Sequence, residues 1–68
     1  MDAATLEMVL TAYDETRQDA RAQGHNEAVA HAEGITAASM CLAAMTGIED
    51  SAARAEVERL DLAKQLAA

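Results

Sequence analysis

The chain contains no proline, tryptophan or phenylalanine, and Tyr13 is its only aromatic residue apart from two histidines. Without proline there is no built-in interruption of a helix. With Tyr13 and two histidines alone there is little to stack on unpaired bases, which argues against RNA or single-stranded DNA as a ligand. Cysteine occurs once, at Cys41, so no intrachain disulfide can form, and the usage fits a reducing cytoplasm. Positive charge is also scarce, with five Lys and Arg against twelve Asp and Glu. The net charge of −7 opposes contact with nucleic acid and anionic membranes and would favour a basic partner. Long apolar runs are missing too. Residues 35–48 carry no charge, but half of this run is Ala, Ser and Thr and it is too short to span a bilayer. At the N-terminus, Asp2 and Glu7 stand where a signal peptide would place basic and apolar residues. The expectation is a cytoplasmic protein with no membrane partner.

What the chain does have is alanine, 18 residues of 68, with Gly24 and Gly47 dividing it into three long stretches of good helix formers. The expected fold is all-α: one domain over residues 1–68, with three antiparallel helices at 3–22, 26–45 and 50–67 and the second helix central. Only sixteen residues are sizeable hydrophobes. Alanine removes little apolar surface from water, and domains this small already leave much of their surface exposed. Small folds are commonly reinforced by a disulfide, a metal or a second chain. With no disulfide available, homodimerisation is expected to complete a helical bundle.

In the first helix, Asp2 suits the N-cap and Gly24 the left-handed position past the C-terminus. Leu6, Val9, Leu10, Tyr13, Arg17 and Ala20 share one face. Glu7, Asp14, Glu15 and Asp19 lie on the opposite side and form a candidate acidic surface, interrupted in sequence by Arg17 and Arg21. The second helix begins polar and after Gly34 is apolar all round, which predicts burial on every side. Its small residues Ala30, Gly34 and Ala38 repeat at intervals of four, a shallow face suited to close approach of another backbone, within the chain or from another. The third helix carries two apolar stripes, Ala53, Val57, Leu60 and Ala67, then Ala52, Ala55, Leu62 and Leu66. One stripe can face the second helix and leave the other for a partner chain. The candidate partner-binding residues are therefore Ala30, Gly34, Ala37, Cys41, Leu62 and Leu66.

No catalytic, nucleotide-binding or cofactor motif is evident. Glu27 and His31 stand four apart and share a helix face, so a metal-binding helical oligomer is one reading; no metal ligands are assigned, because the rest of a site would need a second chain. Cys41, between Met40 and Leu42, lacks a basic neighbour to activate its thiol and reads as a buried structural residue. The segment Ala43–Ile48 resembles the turn of a helix-turn-helix unit, but the helix that follows has five acidic residues against three basic ones. A plain connection between helices is the expectation. Two function classes follow. The first is a non-enzymatic adaptor, regulator or assembly subunit that binds itself and another protein. The second is an acidic inhibitor, of the phage or antitoxin kind, that occupies a basic nucleic-acid-binding surface of its target.

Overall fold

In the computed structural model, which describes residues 1–67, α1 covers Ala3–Ala22 and α2 covers Glu27–Thr46. Asp2 caps α1, its Oδ1 accepting from the Thr5 N–H at 2.8 Å, and Asn26 caps α2 in the same way through the Val29 N–H at 2.9 Å. Asn26 therefore precedes the second helix instead of belonging to it. At the end of α1, Gly24 adopts φ +93°. The Gly24 N–H donates to the Arg21 carbonyl and the His25 N–H to that of Ala20, the paired bonds of a Schellman ending. The chain thereby reverses over four residues, and α2 returns along α1. Gly47, at φ +78°, closes α2 one residue later than the spacing predicts.

The expected third helix over 50–67 is two helices. α3 runs over Asp50–Leu60 and α4 over Leu62–Ala67, separated by Asp61 in the left-handed region at φ 53°. Asp tolerates this conformation better than most residues. Gln65 steadies the break by donating from Nε2 to the Leu60 carbonyl at 2.6 Å. The break redirects Leu62. In a continuous helix it would lie on the second stripe with Ala52 and Ala55, but in the folded chain it is buried in the core.

α2 packs against both α1 and α3 and is central, as expected. Val9 and Tyr13 from α1, Ile35, Ala38 and Leu42 from α2, Ala53 and Val57 from α3, and Leu62 form one buried cluster. Leu6, Leu10, Cys41 and Leu60 pack at its edge. The predicted face of α1 holds: Val9, Tyr13 and Ala20 are buried, and Leu6, Leu10 and Arg17 are half-buried. Burial of α2 on all sides does not hold. After Gly34, Met40 is 66% exposed and Met45 42%, because α1 and α3 surround only part of the central helix.

Candidate protein-binding surfaces

Tyr13 organises the contact between α1 and α2. Its ring is fully buried and lies directly on Gly34, where an added Cβ would come within 2.7 Å of Cδ1. The small-residue face is thus spent inside the chain: Ala30 and Gly34 are buried, Gly34 beneath the α1 tyrosine. The Tyr13 hydroxyl lies 2.7 Å from His31 Nδ1, and Arg17 Nη1 donates to the same oxygen at 3.4 Å. Arginine can only donate, so Arg17 is the donor to this oxygen, while the direction of the Tyr13–His31 bond follows the His31 tautomer. The Arg17 guanidinium stands over the Tyr13 ring, 5.0 Å from its centroid.

Glu27 is held by Arg21 through two short bonds of 2.6 Å, with Arg17 at 4.0 Å. The Arg21 bond holds the Glu27 carboxyl below the usual carboxylate range, and the same bond raises the Arg21 value. Glu27 and His31, which share a face in sequence, therefore turn to different partners. Among the described residues no group of three His, Cys, Asp or Glu side chains gathers in a metal-binding arrangement.

Of the six residues expected to meet a partner, Leu62 joins Ala30 and Gly34 in the interior. Ala37 and Cys41 are half-buried, and the Cys41 thiol lies 3.7 Å from the Met45 sulfur. Leu66 alone is exposed. The six do not form one surface.

Among the residues that stand open on α2 are Val29, Ala32, Glu33, Thr36 and Met40 on one side, and Met45 near its end. Val29, Glu33, Thr36 and Met40 recur at intervals of four, three and four, a spacing that keeps one seam in line. Sequence reasoning missed this stripe because Glu33 and Thr36 break its apolar character, although the interval was there to be read. It borders a shallow depression of about 300 Å³ formed by Val29, Ala32, Glu33 and Thr36. By length and composition alone α2 could also cross a membrane. In this fold α1 and α3 pack on it, and 33% of its apolar 18-residue stretch is buried.

The acidic surface is partly assembled. Glu7, Glu15 and Asp19 are exposed on the outside of α1 with no cation paired to them among the described residues. Asp14 is engaged by Arg17 at 3.3 Å and by Gln18 at 2.8 Å. A wider cleft of about 470 Å³ opens between Met1–Thr5, the end of α2 and α3, with Leu42 and Ile48 among its lining residues. Its charged groups already have partners: Arg59 pairs with Glu56, and Asp2 caps α1. Comparison with protein-family models, curated proteins and solved structures finds no match for this chain.

Proposed function

We propose that this is a small, cytoplasmic, non-enzymatic helical protein that acts by protein–protein interaction, as an adaptor, regulator or assembly subunit, and that it completes its antiparallel bundle as a homodimer. The observation that carries this reading is the open stripe on the central helix. Met40 and Val29 stand exposed on α2, the element most apolar in sequence, in a chain too small to cover them itself. Light scattering on a sizing column, at low and high salt, tests it. The expected mass is that of a dimer at both, since burial of apolar surface is little weakened by salt. A monomer at every concentration overturns the homodimer and leaves the stripe to a different protein.

A second reading, the acidic inhibitor, is supported by the direction of the arginines on α1. Of the arginines that interrupt the carboxylates in sequence, Arg21 turns to Glu27, and Arg17 engages Asp14 at 3.3 Å and reaches Glu27 at 4.0 Å. Glu7, Glu15 and Asp19 are left with no cation paired to them among the described residues. The combined Glu7→Gln, Glu15→Gln, Asp19→Asn variant is expected to lose binding to a basic nucleic-acid-binding protein, and the wild-type affinity to fall steeply with salt. Salt-insensitive binding would count against the mimic.

A further inference from the structure

We infer that two copies of this chain pair through the outward stripe of α2, antiparallel, about a two-fold axis beside Thr36. The inference rests on the homodimer reading and adds its surface and orientation. The first observation is relief. Val29, Ala32, Glu33 and Thr36 stand at i, i+3, i+4 and i+7 around the depression, the four-residue arrangement that receives one side chain from a facing helix. Met40, one turn further along the same stripe, is the most exposed large hydrophobe among the described residues, at 66%. Its unbranched side chain adapts to irregular holes. A symmetric dimer needs both halves of the contact on one surface, and this stripe carries both. The depression is centred between Ala32 and Glu33, so the midpoint between it and Met40 falls at Thr36. An axis there seats each Met40 in the other copy's depression, against Ala32.

The second observation is polar satisfaction at the axis. The Thr36 hydroxyl donates to the Ala32 carbonyl at 3.1 Å and accepts from Arg54 Nη1 at 3.3 Å. It can be covered by a partner without losing a hydrogen bond. The third is charge. Two copies at −7 repel one another. The outside of α1 presents Glu7, Glu15 and Asp19 with no cation paired to them among the described residues. On α2, the stripe from Val29 to Met40 holds one charge of its own, Glu33, and Asp50 and Arg54 of α3, of opposite sign, border it beside Thr36 and Met40. Like charges across an interface are costly, so this face, where Arg54 stands beside the carboxylates, brings two copies together with less repulsion than the outside of α1. A basic partner would be drawn to the carboxylate faces instead.

Cysteine cross-linking tests the axis directly. In a Cys41→Ala background, Thr36→Cys is expected to form a covalent dimer in high yield under mild oxidation, because residues on the axis meet their own symmetry mates within disulfide reach. Glu15→Cys, on the outside of α1, should not. Mixed Ala32→Cys and Met40→Cys chains should give the mixed disulfide over either self-pair, and self-pairs alone would overturn the antiparallel orientation. Met40→Glu should run as a monomer with its helical circular dichroism intact. A wild-type dimer whose Thr36→Cys chain cross-links no better than the control, and whose Met40→Glu variant stays dimeric, sinks this inference and leaves the homodimer standing. A wild-type monomer overturns both.

Discussion

Toward Tyr13, α2 presents the small residues Ala30, Gly34 and Ala38, and α1 fills the space with the largest fully buried side chain in the molecule. Toward α3 it presents Ile35 and Leu42, and the opposite helix supplies Ala53 and Val57. The volume is on α1 in one seam and on α2 in the other. A large ring on a glycine brings two backbones close and leaves no slack: the ideal Gly34 Cβ would also sit 3.0 Å from the Tyr13 carbonyl oxygen. Branched and straight aliphatics meeting alanine and valine can shift and refill. The first seam also carries polar links, Tyr13 to His31 and Arg21 to Glu27, whereas the second has the single cross-helix bond from Arg54 to Thr36. We expect the α1–α2 hairpin to be the more rigid and more specific half of the fold, and α3–α4 the more tolerant.

The largest expected effect is Tyr13→Ala, at about 3–5 kcal/mol on the scale of aromatic truncations. A chain of 68 residues is stable by only about 3–10 kcal/mol, so this variant should lose cooperative thermal unfolding. Retention of a sharp transition would mean that the ring is not the centre of the first seam. Val57→Ala in the second seam should cost about 2 kcal/mol. Native-state hydrogen exchange should then show α3 amides losing protection before those of α1 and α2. Equal loss throughout would show one cooperative unit and erase the distinction between seams. Gly34→Ala sets an overpacking cost of about 1–3 kcal/mol against about 1 kcal/mol of recovered helix propensity. A net loss of about 1 kcal/mol should lower the melting temperature by several degrees.

Asp61→Ala should cost about 1 kcal/mol, because alanine is strained at positive φ, while Asp61→Gly should lose nothing. Equal stability of the two would mean that the break is not enforced by the core position of Leu62. The smallest effect is the pH dependence of the Arg21–Glu27 link. Glu27 is held below its ordinary range, so the unfolded chain binds more protons and the link's contribution is present above that range. It disappears as pH falls through the lowered value. Glu27→Gln should therefore melt below wild type at pH 7 and level with it near pH 2, by calorimetry at both.

Much of this was legible along the chain. The all-helical fold, the central position of the second helix, the cap at Asp2, the left-handed glycine at Gly24 and the buried face of α1 all follow from spacing and local chemistry. The partner surface was not. Ala30 and Gly34 were equally suited to a neighbour in the same chain or another, since a small residue sets how close a backbone can come without choosing which one. Leu62 was assigned to the wrong stripe because a left-handed Asp61 leaves no mark in a run of helix formers. Met40 is hidden in the part of the helix that reads as apolar on every side, and Val29 in its polar first third.

Local forces act over a turn or two of chain, so composition and periodicity were enough to decide which segments are helical, where α1 and α2 end and which residues of α1 face inward. The choice of Tyr13 as the side chain on Gly34, the turn of Leu62 into the core and the stripe of α2 left open came only with tertiary packing. Each depends on three helices competing for the same few apolar residues, and that competition is settled by the volume and geometry of distant neighbours.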